Sequence, residues 1–190
     1  MPTKAKTSPK SVYQLKITLS GSKPPIWRRV QVDSHIKLSE LHDIFQEVMG
    51  WENGHLHQFV INKERYGQPY DDDFGTYKIQ DEKKYWLDQL ITAPKSKFIY
   101  EYDFGDGWEH SVSLEKVVEP DATAHYPVCT AGARACPPED CGGIWGYEGM
   151  LETLNSNGLD KAELVEWLGG DFDPELFDIE KLNWRLKKFK

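Results

Sequence analysis

The chain runs to 190 residues, with a formal net charge of −8, 39% hydrophobic residues and seven tryptophans. That length favours one domain, and that much apolar material excludes global disorder because it can bury a core. The acidic balance argues against broad, nonspecific phosphate binding, and no run of about 18 apolar residues is there to cross a bilayer.

The opening MPTKAKTSPK is basic and polar, lacks the apolar core of a signal peptide, and reads as a disordered arm over residues 1–11. Residues 12–190 then read as a single domain. VYQLKITL at 12–19 and WRRVQV at 27–32 alternate as strands, and the turn-rich SGSKPP between them makes an antiparallel pair. LSELHDIFQEVMGW at 38–51 places Leu41, Ile44, Phe45 and Val48 on one helical face, with Ser39 suited to capping the start and Gly50 to ending it. His42 falls between capping and surface positions of that helix. HLHQFVIN at 55–62 returns to a strand, and the order strand–strand–helix–strand is that of a β-grasp opening.

Residues 63–82 form a polar connection holding the Asp71–Asp73 run, with a short strand at 77–79. KKYWLDQLI at 83–91 fits a short helix or an extended segment. FIYEYDF at 98–104 and HSVSLEKV at 110–117 make the clearest strand pair, turned at the glycines of 105–107. Helices follow at 146–154, at 160–169 with Asp160 as cap, and at 174–187 opened by Pro174. The basic tail KLNWRLKKFK suits a helix C-terminus better than nucleic acid. The expected class is α+β: a mixed or antiparallel sheet with a β-grasp-like opening, one helix packed on it, and C-terminal helices.

The stretch between residues 118 and 147 is long for a loop without structure of its own, and it holds all three cysteines, Cys129, Cys136 and Cys141. With no export signal, reduced thiols in a cytosol are expected rather than a disulfide. Zinc takes four thiolate or imidazole ligands, so the three cysteines with His110 as the fourth (His125 is an alternative) make a candidate zinc site. This would require the loop to fold back over the strand pair 98–117, and binding energy would then serve as folding energy. The competing reading makes these cysteines small buried residues.

Asp106 and His110 lie in a glycine-rich stretch, DFGDGWEH, and are candidates for metal ligands or a general acid–base pair; a hairpin turn explains the same residues. Glu139 and Asp140 sit in PPEDCGG, where proline and glycine rigidity aims them at a ligand or has Asp140 cap its own loop. His55 and His57, two apart on a strand, share a side and are a weaker candidate for chelation. Trp27, Trp51, Trp86, Trp108 and Trp145 read as core or half-buried packing.

YQLKITLSGSKPPIWRRVQV, LSELHDIFQEVMGWENGHLHQF, YEYDFGDGWEHSVSLE and YPVCTAGARACPPEDCGGIWGYEGMLE, in this order, resemble the plasmid pRiA4b ORF-3-like family over residues 12–155. Some members of that family carry a resolvase (TnpR-like) or insertion-element passenger label. The resemblance implies a compact α+β domain and transfers no established activity. A serine resolvase needs arginines around the scissile phosphate and a helix-turn-helix; the only adjacent arginines are Arg28 and Arg29, and no second DNA-reading module is evident. Three functions follow as expectations. The first is a cytosolic binding or accessory module with a structural zinc and an unidentified protein or ligand partner. The second is a metal-assisted enzyme using Asp106, His110, Glu139 and Asp140. The third is a mobile-element DNA-binding protein using Arg28, Arg29 and the basic ends.

Overall fold

The computed structural model describes residues 11–69 and 78–189. The Asp71–Asp73 run, Tyr77 of the expected short strand and all but the last residue of the N-terminal arm lie outside the described residues.

β1 (Val12–Leu19) and β2 (Trp27–Asp33) pair antiparallel, Val12 opposite Asp33 and Thr18 opposite Trp27. Their inward residues Leu15, Ile17, Val30 and Val32 are fully buried, which is what alternation on a half-buried strand produces. α1 (Leu38–Met49) ends at Gly50, whose φ of 88° places it in the left-handed region that glycine adopts without a Cβ penalty. The expected cap, Ser39, lies inside this helix; Lys37 precedes the first turn, and its amide donates to the Glu40 carboxylate at 3.3 Å. Leu41, Ile44, Phe45 and Val48 are buried as the spacing predicts, with the Phe45 ring edge-on to Tyr100 at 5.2 Å.

β3 (His57–Ile61), β4 (Glu64–Gly67) and β5 (Ile79–Asp81) follow, then a 3-10 turn at Glu82–Lys84 and the single-turn helix α2 (Leu87–Leu90). β6 (Lys97–Tyr102), β7 (Trp108–Val118) and β8 (Val128–Ala133) complete an eight-stranded mixed sheet of order β5-β4-β3-β6-β7-β1-β2-β8. Only β4 and β5 pair parallel. The fold is α+β, with α3 (Gly143–Leu154), α4 (Leu159–Trp167) and α5 (Ile179–Leu186) after the sheet.

The stretch 118–147 departs from expectation. Its middle is not loop but edge strand: β8 pairs with β2, and β1 and β2 separate it from β7. Small residues let α5 and its approach pack there, since a Cβ on Gly132 would lie 2.5 Å from the Phe177 ring. Only the part after Arg134 travels back toward the β6–β7 turn, where the Gly142 amide donates to Asp106 Oδ2 at 3.1 Å.

The last helix also starts later than Pro174 suggests. Asp178 accepts from the Lys181 amide and caps α5, while the Pro174 carbonyl accepts from the Ala135 amide. Leu182 and Leu186 enter the core, and Arg185 and Lys188 ion-pair with Glu47 of α1. Trp51 and Trp108 are core residues, but Trp145 is 80% exposed, against the packing role expected of it.

Candidate functional site: a histidine-lined cleft

α1 carries His42 and Gln46 one turn apart on the face that meets the exposed end of the sheet. Neither faces solvent. His42, which the sequence placed between capping and surface positions, is 4% exposed, and its ring joins a hydrogen-bond circuit. The Tyr100 hydroxyl lies 2.8 Å from His42 Nδ1 and accepts from Gln46 Nε2 at 2.8 Å. His42 Nε2 lies 2.7 Å from Asn53 Oδ1, and the Asn53 amide donates to Gln46 Oε1 at 3.0 Å. An amide oxygen only accepts, so His42 carries its proton on Nε2 and takes the Tyr100 proton at Nδ1. Both ring nitrogens are used with His42 neutral. Burial, then the neighbouring His57, lowers the His42 pKa to about 4.

His57, at the start of β3, stacks on His42 with ring centroids 3.3 Å apart and planes within 3°. Its Nε2 lies 2.8 Å from a carboxylate oxygen of Glu82, itself buried at the start of the 3-10 turn. These rings and acids face a cleft of about 470 Å³ lined also by Ser39, Asp43, Asn53, His55 and Gln68. Asp43, at its rim, has its carboxyl pKa raised by partial burial and by the Glu82 charge. The cleft thus combines a neutral imidazole, an imidazole–carboxylate pair and a free carboxyl.

At one end of the cleft His55 meets three acids. Its Nδ1 is 3.7 Å from Asp103 Oδ1; its Nε2 is 3.2 Å from Asp140 Oδ1 and 3.6 Å from Glu139 Oε2. Asp103 follows β6 at φ 53°, and Asp140 lies in the proline-rich turn at φ 57°. Glu139 fixes that turn: it accepts from the Glu52 amide at 2.8 Å and from the Tyr102 hydroxyl at 3.0 Å, and burial with this carboxylate drives the Tyr102 pKa upward. Trp51 Nε1 donates to the Pro137 carbonyl at 3.0 Å and ties the same turn to the end of α1.

The residues expected to act divide accordingly. Glu139 and Asp140 reach His55, which lines the cleft. Asp106 does not; it holds Gly142. His110 is fully buried on β7, with Nδ1 donating to the Tyr100 carbonyl at 3.1 Å and Nε2 without a partner, and burial lowers its pKa to about 4. The cysteines have separate surroundings. Cys129 is buried on β8 with its thiol at the Ala131 carbonyl, and Cys136 lies 3.1 Å from an Arg28 nitrogen and 3.7 Å from Met49 Sδ. Burial raises Cys136 to about 11, and burial with Asp106 raises Cys141 to about 12. Among the described residues, Cys129, Cys136, Cys141 and His110 do not gather as a ligand group; the group that does is His55, Asp103 and Asp140, with ligand atoms within 4.8 Å of one another. His55 and His57 share the cleft, as their spacing predicts, but each has its own carboxylate partner.

A sequence model of the plasmid pRiA4b ORF-3-like proteins matches residues 11–181. The chain belongs to the plasmid pRiA4b ORF-3-like family. It is similar to the uncharacterized protein y4hQ of Sinorhizobium fredii, 38% identical over 175 residues, which is 91% of this chain and 89% of that protein. It is also similar to a crystal structure of a protein of unknown function, MM3350, from Methanosarcina mazei Go1. That pair is 42% identical with a TM-score of 0.82, covering 91% of this chain and 97% of the other. The family therefore establishes the fold and leaves the chemistry to the site. Among the described residues, no helix is long and apolar enough to cross a membrane.

Three members of the site escaped the sequence. His42 falls between capping and surface positions of its helix, Asp103 looks like turn chemistry, and nothing local distinguishes Glu82 from other acids. Their partners lie 15, 25 and more residues away in the chain, so no spacing signal connects them.

Proposed function

We propose that the protein is a binding module whose ligand sits in the histidine-lined cleft. The observation that carries this reading is the convergence of His42, His55 and His57 with Asp43 and Glu82 on one cavity of about 470 Å³. Two of these groups, His42 and Glu82, are buried, and burying polar groups costs stability unless each is satisfied; sites that bind retain them. The Asp43 and Glu82 carboxyl groups favour a small polar ligand rich in hydrogen-bond donors. Titrating a panel of polyols and amines into labelled protein, followed by amide NMR, tests this. Shifts confined to residues 39–57 and 82–83, weakened by Asp43→Asn at the solvent-facing rim, support it. Shifts centred instead on the separate cavity of about 290 Å³ beside Ile36 and Tyr126 overturn it.

A metal-assisted enzyme is the second reading, favoured by the His55 cluster at the cleft end. Glu139 and Asp140 remain its candidates, whereas the seclusion of His110 counts against a proton-transfer role for it. The DNA-binding reading loses its two adjacent arginines: Arg28 is 4% exposed, and Arg29 donates to both carboxylate oxygens of Glu115.

A further inference from the structure

We propose that His55, Asp103 and Asp140 form a binding site for a divalent first-row transition metal ion, one that stands whether or not the cleft takes an organic ligand. Three segments supply the donors: the loop after α1, the end of β6 and the turn before α3. Their ligand atoms already lie within 4.8 Å of one another. Metal–nitrogen and metal–oxygen bonds of about 2.0–2.2 Å need a small further approach. The Asp140 side chain, 71% exposed, is free to make it.

The charge balance points the same way. Asp103, Glu139 and Asp140 surround one imidazole, and among the described residues no lysine or arginine lies within ion-pair reach of them. Asp103 is 7% exposed, so its carboxylate is largely withdrawn from water, with the Gly105 amide donating to Oδ1 at 3.0 Å and the His55 imidazole at 3.7 Å as its neighbours. Such a charge is costly unless compensated. A divalent cation compensates it. The imidazole is addressed at both nitrogens, Nδ1 by Asp103 and Nε2 by Asp140. With Nδ1 given to the metal beside Asp103, Nε2 retains Glu139, 3.6 Å away, to orient the ring, as metal-binding histidines require.

The donors also select the ion. Calcium and magnesium prefer all-oxygen surroundings, and thiolates would favour softer ions. One imidazole with two carboxylates suits manganese, cobalt or zinc. The open side at Asp140 leaves coordination positions for water.

The test uses the full chain, stripped with chelator and titrated with Mn2+, Co2+ and Zn2+ separately by calorimetry, with Co2+ absorption as a second readout. The expected result is one equivalent bound, a cobalt spectrum without a thiolate charge-transfer band, and Mn2+ broadening of amide signals centred on residues 53–55, 103 and 140. Asp140→Asn, at an exposed position that leaves the fold intact, weakens binding at least about tenfold, as does His55→Gln. Cys136→Ser and Cys141→Ser leave it unchanged. Absence of stoichiometric binding overturns the proposal. So does binding indifferent to Asp140→Asn, or a thiolate band lost with the cysteine variants, which would move the metal to the cysteines.

Discussion

His110→Leu separates a buried neutral histidine from a catalytic or ligating one. Burial places the folded-state pKa of His110 at about 4, as it does for His42, against 6.5 in the unfolded chain. The sign follows from linkage. Between those values the unfolded chain takes up a proton that the folded chain refuses, so stability is fully present above pH 6.5 and is lost as pH falls toward 4. Integrating over that interval, each histidine costs about 2 kcal/mol between pH 7 and pH 5, and the pair about 4 kcal/mol. The His110 ring contacts Trp51 and Tyr100, and burial is the largest cause of its lowered pKa, so this contribution belongs to burial. The leucine variant loses the bond to the Tyr100 carbonyl, about 1 kcal/mol at pH 7, and halves the pH dependence. Urea denaturation followed by tryptophan fluorescence at pH 7 and pH 5 measures both quantities. The carboxylates with shifted pKa values are common to both proteins and cancel in the comparison. A variant that keeps the full acid sensitivity refutes the assignment of His110 as a buried neutral residue.

Phe45→Ala removes a ring that is fully buried against Tyr100 and Phe59 and is expected to cost about 3–5 kcal/mol in the same assay. Gly143→Ala places a Cβ 2.4 Å from the Asp106 carbonyl at φ 69° and is expected to cost on the order of 2 kcal/mol or more. Gly50→Ala, at φ 88° with open space around it, is the milder control, and equal melting temperatures for the two would contradict the packing argument. Duplex DNA binding is expected to be weak at low salt and absent at moderate salt by gel shift; affinity that persists at high salt would reinstate a nucleic-acid role.

Local chemistry made most of the fold legible. β1, β2, α1, β3, β6 and β7 follow from alternation, helical spacing and glycine placement, because each buries a face whose period is written in consecutive residues. β8 escaped because VCTAGA has little apolar alternation; its place is set by pairing with β2 and by Phe177 closing over Gly132. Helix starts slipped where Pro174 outranked the actual cap, Asp178. The site was legible only in part. His55, His57, Glu139 and Asp140 were visible as unusual residues. The cleft exists because His42, on a helix, meets His57, on a strand, and Glu82, on a turn. That meeting is a property of the packed sheet.

The cysteine-rich stretch shows how an anchor can be misplaced in kind. Its length called for a brace, and its thiols suggested zinc. The structure supplies a brace from far upstream: the Arg28 guanidinium makes five hydrogen bonds, to the carbonyls of Trp27, Val48, Ala133 and Arg134 and to Cys136 Sγ. A guanidinium has five N–H donors, so its donor capacity is matched. Its face also lies 4.5 Å from the Phe177 ring. One side chain thereby joins β2, the end of α1, the end of β8 and the approach to α5. Lysine, with three donors on a flexible stem, could not reproduce this fork. The pair Arg28–Arg29 reads as a phosphate-binding signal in a string of letters, but its first member is the joint of the core and its second serves Glu115. The titratable groups that the described residues gather, at the cleft and around His55, are acids and imidazoles. That is why the cleft and the His55 cluster, rather than the arginines or the thiols, carry the functional reading.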